Sequence, residues 1–566
     1  MSQSTDRAEH DVPPWAAGAA QRMHELDPSL SDSEIDIVRR YGEEATFNEG
    51  DLLWRAGDIA IFMLVLEGQI DVHHNDDQGE RVIISHGPRH YIGEIVTMSG
   101  GQALVSGRAS APLRALVLQP DAVRSLIATE PELGEKILLS FILRRMRMVA
   151  ERLANVQLIG DQREADCLVL ESFLSRNGIP FDLLDTGASV TPRLDATITR
   201  HSLTRAQLPA VVVNERVLER PTTRHIAEAL GFTVQIDCGT TYDVAVVGSG
   251  PAGLTAAVYA ASEGLSVLVL ENCAPGGQAA SSSRIENYMG FPTGISGQGL
   301  MGRAYLQAQK FGAKIAVARE LLTLEPAEPL HKLHIDGGDT VFARSVVLAS
   351  GAIYRQPQIE GLDQLGGIHY GASHVEGELC RGRDVAVVGG GNSAGQAAMY
   401  LSTRARHVHI WIRGKDLTHS MSSYLIDRIE KSPNVTLHSH TEIEKLEGDS
   451  RLDGVVVKNN QTGETRRADV SNLFIFIGAQ PGTSFVPEEI AKDARGFVLT
   501  GDDLDAETLS RCHWSEDRKP YLLETSCPRI FAAGDVRSGS VKRVASAVGE
   551  GSVCIQFVHR VLADAT

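Results

Sequence analysis

At 566 residues the chain is too long for one hydrophobic core, and roughly 100–200 residues per domain divide it into about three to five units. Hydrophobic residues make up 43% and charged residues 22%, an ordinary globular balance. The 54 basic and 72 acidic side chains leave a net charge of −18, which argues against binding to nucleic acid or to an anionic membrane. Seven cysteines, none spaced as CxxC, offer no metal motif and suit a reducing cytoplasm.

The opening stretch, MSQSTDRAEHDVPPW, lacks the basic-then-apolar build of a signal peptide. Residues 1–30 read as a loose arm. Residues 31–155 begin with short strand-like segments, ATFNEGDLLWRAG, AIFMLVLEGQIDVHH, ERVIISHG and LRALVLQ, punctuated by Gly50, Gly57, Gly68 and Gly79. Such spacing predicts a small β-barrel or sandwich. Two helices are expected next, from Asp121 to Thr129 and from Pro131 to about Val156. The second has an apolar stripe and a basic face containing Arg144, Arg145 and Arg147, read as solvated. Residues 156–238 run strand (QLIG), helix (ADCLVLESFLSRNG), strand (PFDLLD), hairpin (LPAVVVNERVLERP) and closing helix (TTRHIAEALGF). From Tyr242 onward strands alternate with amphipathic helices, the pattern of doubly wound α/β domains.

Two segments carry the chemistry. In TYDVAVVGSGPAGLTAAVYAASEGLSVLVLE a buried strand leads into Gly248, Gly250 and Gly253 at GxGxxG spacing. The first glycine makes the tight turn, the second admits a pyrophosphate and the third lets the helix pack on the strand. The helix then starts with free N–H groups facing the phosphates. Glu271 ends the next strand, where an acid binds a ribose hydroxyl. The pattern recurs in RDVAVVGGGNSAGQAAMYLSTRARHVHIWIR, with Gly389, Gly390 and Gly391 in the turn. Its second strand ends at Arg413, with Lys415 close by, and cations there accommodate the 2′-phosphate of NADPH. Two dinucleotide sites in one chain predict hydride transfer between a nicotinamide and a bound flavin.

The run GSGPAG, APGGQ, IENYMGFP, LASGA, GGGNSA, FIGAQP and FAAGDV, in that order, resembles the low-molecular-weight thioredoxin reductases from about Thr241 onward. The resemblance implies a homodimer with FAD and NADPH as cofactors. It also implies an FAD domain, 239–358 and 474–566, split around an NAD(P)H domain, 359–473. By position it implies FAD contacts from Gly248, Gly250, Pro251, Ala252, Gly253, Glu271, Gly277, Gln278, Asn287, Gly534 and Asp535. Lys542, Arg543 and Val544 stand where the family has Arg-Gln-Ala beside the flavin. For NADPH it implies Gly389, Gly390, Gly391, Asn392, Ser393 and Ala394, with Arg413 and Lys415. The family's redox CxxC falls on Ala372, Ser373, His374 and Val375, so both cysteines are missing. Glu376 takes the place of the family's adjacent aspartate and is the candidate proton donor, with His374 second. Cys380 and Cys273 read as structural.

The β region from Tyr41 to about Leu118 resembles a cyclic-nucleotide-binding domain through FNEGDLLWRAGD, LVLEGQIDV and YIGEIVTMSGG. Gly93 and Glu94 match its ribose-binding pair, but Ala103 stands where the phosphate-binding arginine belongs. A degenerate site is the expectation, because a buried phosphate without its cation loses a charge-assisted contact. The middle region resembles glutaredoxin, with Pro209 as its cis-proline and no cysteine in the GDQRE stretch.

The expected fold class is therefore multidomain: an N-terminal β-barrel with helices, a thioredoxin-like α/β domain and two Rossmann-type α/β domains. The expected function is a cytoplasmic FAD-dependent NADPH oxidoreductase delivering electrons to an unidentified acceptor, protein or small molecule, without the usual dithiol. A ferredoxin- or flavodoxin-NADP reductase-like activity and a non-catalytic redox sensor are the alternatives.

Overall fold

The structure, a computed structural model, describes residues 23–564 except 77, 78, 99, 152, 154, 155, 163, 188–190, 215, 235, 283, 358, 360, 361, 363, 364, 373 and 450. Most of the expected arm lies outside these residues. Its end does not behave as an arm: Met23–Leu26 is a helix, and Leu26 and Leu30 are buried.

Two four-stranded sheets form the N-terminal barrel. One contains Glu43–Phe47, Leu113–Leu118, Phe62–Glu67 and Tyr91–Ile92, and the other Leu52–Trp54, Ser106–Ala109, Ile70–Asp76 and Gly79–His86. Alternate residues meet inside, among them Trp54, Met63, Val65, Ile70 and Leu113. Helices Pro120–Thr129 and Pro131–Ala150 close one side. The second stops six residues short of the expected end, and its basic face is not solvated. Arg144 and Arg145 are only 11% and 12% exposed, because acids distant in sequence, Asp27 and Glu94, neutralise them.

The middle domain is a four-stranded sheet ordered Asp182–Asp185, Val156–Gly160, Ala210–Val213, Arg216–Glu219. Its first pair is parallel and the rest antiparallel, as the predicted strand–helix–strand unit and hairpin require. The Leu208–Pro209 peptide is cis.

The next sheet carries parallel strands Lys314–Val317, Val267–Glu271, Thr241–Val247 and Thr340–Leu348, with Ile530–Ala532 joining the last. Its strands are continuous apolar runs because both faces are covered. A second, all-parallel sheet is ordered Ile368–His369, Asn472–Ile475, Asp384–Val388, His407–Trp411, Val435–His438. The chain crosses between the sheets in Ala352–Tyr354 and returns in Ala479–Pro481, which pair as a two-stranded ribbon. The boundary expected between 473 and 474 thus falls inside a strand. The apolar run NLFIFIG belongs wholly to the inserted domain.

The extra domains are packed onto the first of these sheets' helices. Tyr305 and Leu306 of helix Gly297–Lys310 enter a core shared with Phe62, Leu126 and Phe141 of the barrel unit. Arg176, ending a middle-domain helix, donates to Cys273 Sγ and to the Gly277 carbonyl, each at 3.5 Å.

Candidate functional site

The first glycine loop divides its labour by position. Gly248 sits at φ +98°, and a Cβ there would lie 2.5 Å from the Ala349 carbonyl oxygen. A Cβ on Gly253 would lie 1.9 Å from the Gly248 oxygen, so that glycine seats helix Pro251–Ser262 on its strand. Gly250 is different: nothing lies within 4 Å of an added Cβ except across the loop, where Gly277's would meet the Gly250 Cα at 3.1 Å. The GSGPAG and APGGQ loops therefore pack directly on each other, Gly276 N–H donating to the Ser249 carbonyl at 2.7 Å, and the gap that stays open is the one over Gly250's own Cβ direction, beside unpaired helix N–H groups.

The other FAD-assigned residues gather around this gap. Gly534 and Asp535 follow the strand Ile530–Ala532, and Glu550 holds their loop by accepting from the Gly534 N–H at 2.7 Å and from Arg537. Burial raises the Asp535 carboxyl above its usual range, and no described side chain hydrogen-bonds it, which fits a carboxylate waiting for ligand hydroxyls. Lys542 donates to the Asp535 carbonyl at 2.9 Å and rests on the Phe497 ring, with desolvation lowering its pKa. Arg543 is exposed and Val544 begins the C-terminal helix Val544–Asp564. That helix reaches helix Pro251–Ser262 through Gly551, whose Cβ would lie 2.3 Å from the Ala252 carbonyl. Ala252 is thus enclosed by helix packing. Gln278 donates to the Ala352 carbonyl, and Asn287 is exposed on its loop.

Glu271 lies where an acid should, but it is already engaged. It accepts from Ser249 N–H at 3.0 Å and Ser249 O–H at 2.6 Å, and from the N–H groups of Cys273 and Ala274. Two donors per oxygen fill its usual acceptor directions. Of these four donors the Ser249 hydroxyl is the one that can rotate away.

The second glycine loop repeats the design. Gly389, at φ +134°, tolerates no Cβ because the Phe476 carbonyl would be 2.3 Å away, whereas the nearest atom to a Cβ on Gly391 would be 4.0 Å off. Gly391 caps helix Asn392–Leu401, and Asn392 Oδ1 accepts from Ser422 N–H at 2.7 Å. Gly390 accepts from the Ser420 hydroxyl, and Ala394 is buried against the sheet. Arg413 and Lys415 are exposed just past the neighbouring strand, and among the described residues neither has a carboxylate partner.

Comparison with known proteins decides the family. Residues 242–551 match the pyridine nucleotide-disulphide oxidoreductase family, and residues 44–130 match the cyclic nucleotide-binding domain family. The chain belongs to the thioredoxin reductase branch of the former. It is 35% identical to the thioredoxin reductase of Treponema pallidum over 56% of this chain and 95% of the relative. It is 32% identical to that of Mycolicibacterium smegmatis, over 57% and 98%. A 34.2 kDa protein in a rubredoxin operon of Clostridium pasteurianum is 31% identical over 56% and 96%. Among solved structures, thioredoxin reductase of Lactococcus lactis in its FR conformation superposes with a TM-score of 0.51 at 29% identity, covering 57% and 99%. The chain is therefore an NAD(P)H-dependent flavin oxidoreductase of a family that uses FAD and NADPH.

No two cysteines of the sequence are spaced as CxxC. The seven cysteines are free. Burial pushes the thiols of Cys167, Cys380 and Cys527 up to about 12 and raises that of Cys273. Of the residues aligned with the dithiol, Ser373 lies outside the described residues. Ala372 is buried, and His374 and Val375 open the helix His374–Leu379. Glu376, on that helix, acts electrostatically on Cys380 and on His369. His369 is deeply buried, bonded to Asn472 at 3.0 Å and stacked on Phe474, and desolvation lowers its pKa. His369 has no signal of its own in the sequence: a lone histidine in a strand reads as core. Tyr354, two residues beyond LASGA, was also missed by motif reading. Its ring packs against the inserted domain's core beside Phe476.

The N-terminal nucleotide pair is occupied from within. Arg145 Nη2 lies 3.0 Å from Glu94, and Arg144 donates to the Gly93 carbonyl at 3.1 Å. A Cβ on Gly93 would meet the Phe141 ring at 2.9 Å. Ala103 is buried, and Arg108 donates away from the cassette to the Gly50 carbonyl at 2.8 Å. Trp54 fills the barrel, donating to the Val105 carbonyl at 2.8 Å. The loop's Gln102 faces the middle domain, where a Cβ on Gly231 would meet it at 2.4 Å. Among the described residues no cluster could hold a metal, and no helix is long and apolar enough to cross a membrane.

Proposed function

We propose that the chain, as a cytoplasmic homodimer, moves electrons from NADPH through FAD directly to an external acceptor, with no protein dithiol between. The observation that carries this reading is chemical. The stretch aligned with the family's CxxC reads Ala372, Ser373, His374, Val375, and burial holds the thiols of Cys167, Cys273, Cys380 and Cys527 protonated rather than poised for exchange. FAD, when bound, supplies the two-electron carrier. The protein's part is to seat it over the open side of Gly250 at the helix N-terminus, to present Asp535 to its hydroxyls and to seat the nicotinamide phosphates at Gly391–Ala394. Glu376 is the candidate proton donor, and it acts electrostatically on His369 and Cys380.

Anaerobic stopped-flow with NADPH, joined to thiol titration before and after, tests this. Rapid flavin bleaching with no new pair of thiols is expected, and negligible turnover with a standard thioredoxin. Glu376→Gln is expected to slow acceptor reduction and spare flavin reduction. Two NADPH-generated thiols would overturn the reading. The relationship to a rubredoxin-operon protein favours a small redox protein over a quinone as acceptor. Turnover stimulated by an added rubredoxin or ferredoxin would separate the two.

A further inference from the structure

The FAD sheet lays out a path for a dinucleotide, strand by strand. The open side of Gly250 stands past the end of strand Thr241–Val247, and Glu271 ends the adjacent strand Val267–Glu271. The next strand outward is Lys314–Val317. A dinucleotide with its pyrophosphate over the first strand and its ribose over the second carries its base toward the third, outside the carboxyl ends. Asn272 and Ala318 follow those ends, and both line an open cavity of about 340 Å³. Its size is at the small end of ligand pockets, which run from about 300 to 1,000 Å³.

The opposite wall comes from another domain. Thr222, Thr223, Arg224 and His225, where helix Thr223–Ala229 of the middle domain begins, complete the cavity. This wall is fixed on both sides. Arg224 lies 3.5 Å from Asp336 and covers Gly337, where a Cβ would meet its Nη1 at 2.0 Å. Asn177, at the end of helix Ala165–Arg176, donates to the Cys273 carbonyl at 3.2 Å, one residue from Asn272. The His225 ring is held too, since its Nδ1 accepts from the Thr222 N–H at 3.3 Å. Both His225 and Asn272 are exposed. A flat ring suits the face of a purine, and an asparagine amide complements N6 and N7 of adenine.

We propose that this cavity takes the adenine of FAD, with Asn272 on its edge and the middle domain's His225 as its outer wall. This rests on the reading of Gly250 and Glu271 as the pyrophosphate and ribose seats. It gives a domain whose GDQRE stretch carries no cysteine a part in holding the flavin.

The test uses the full-length protein freed of its flavin and titrated with FAD and with FMN, which lacks the adenosine. His225→Gln removes the ring and keeps the helix cap, because glutamine serves the same position of a capping box. FAD affinity is expected to fall about fivefold or more, the loss of one base–aromatic contact, and FMN affinity to stay within about twofold. Hydrogen–deuterium exchange of the unsubstituted protein gives a second reading. FAD is expected to slow exchange in helix Thr223–Ala229, and FMN is not. Unchanged FAD affinity in the variant, or equal weakening of both flavins, would overturn the proposal, as would exchange in that helix that FAD leaves unaltered. Failure of the parent reading looks different: Gly250→Val would then retain its flavin, whatever His225→Gln does.

Discussion

Gly250→Val separates the two duties of the first glycine loop, because this position alone among its three glycines has open space around it. Gly250 has φ −69° and ψ −175°, an extended conformation that valine adopts readily. Exchanging glycine for valine at a helix N-cap costs about 1 kcal/mol or less. The apo variant is therefore expected to unfold within about 4 °C of the apo wild type, at about 2–4 °C per kcal/mol for domains of this size. FAD is another matter, since the branched side chain fills the open space over Gly250. A flavin at about 100 times its Kd stabilises by about 2.7 kcal/mol, so the holo wild type should melt roughly 5–10 °C above the variant. Gly253→Ala is the contrast: its Cβ would lie 1.9 Å from the Gly248 oxygen. Overpacking there is expected to lower apo and holo stability alike by about 1–3 kcal/mol. The assay is visible flavin absorbance after gel filtration, with thermal unfolding of apo and reconstituted forms. Stoichiometric flavin in Gly250→Val, or an apo form as unstable as Gly253→Ala, would refute this division of labour.

Arg413→Ala is expected to weaken NADPH by roughly ten- to a hundredfold and NADH far less, by losing one charge-assisted contact to the 2′-phosphate; equal losses in a titration with both nucleotides would refute the role. His331, buried in the FAD sheet beside Arg529, has its pKa lowered by burial from 6.5 to about 4, so the unfolded chain takes up its proton first. Stability is expected to fall as pH drops from 6.5 toward 4, by at most about 3 kcal/mol, and urea unfolding of His331→Gln should show a shallower loss than wild type. Arg145→Met strands Glu94 in the barrel core and is expected to destabilise it by about 3–5 kcal/mol, with most regained in Arg145→Met/Glu94→Gln. A double variant no more stable than the single one in urea titrations would refute the pairing.

The parts of the fold legible in the sequence are those fixed by local pattern. The two strand–glycine–helix units, the hairpin around Asn214 and the barrel strands all follow from short periodicities and turn residues. Even the packing duties of Gly248 and Gly253 could be assigned from spacing. What sequence could not supply is pairing across distance. The basic face of helix Pro131–Ala150 looks solvated when read alone, because Asp27 and Glu94, which bury it, lie far upstream. Glu271 was legible as an acid at a strand end, but its grip on Ser249, Cys273 and Ala274 depends on the two loops meeting in space. Tyr354 and His369 escaped for the same reason. Their contacts, with Phe476 and Asn472, are ones that only the folded sheets bring about.

The same long-range pairing governs what the N-terminal domain can bind. A cyclic nucleotide at Gly93 and Glu94 would need the Glu94 carboxylate, which Arg145 holds at 3.0 Å, and the space against Gly93, which Phe141 occupies. Separating a buried ion pair costs about 3–5 kcal/mol, and uncovering a large aromatic side chain about 1.5–3 kcal/mol. Phe141 also shares its core with Leu306 of the FAD-domain helix, so displacing it loosens an interdomain seam as well. The first two terms alone, about 5–8 kcal/mol, would turn an intrinsically micromolar ligand into one of millimolar affinity or weaker. A compensating cation is missing, since Ala103 replaces it and Arg108 points to the Gly50 carbonyl. Calorimetry with cyclic AMP is therefore expected to show no binding at micromolar concentrations. Low-micromolar affinity would mean that Arg145 itself leaves Glu94 to take the phosphate, and that the ion pair is a latch rather than a filling.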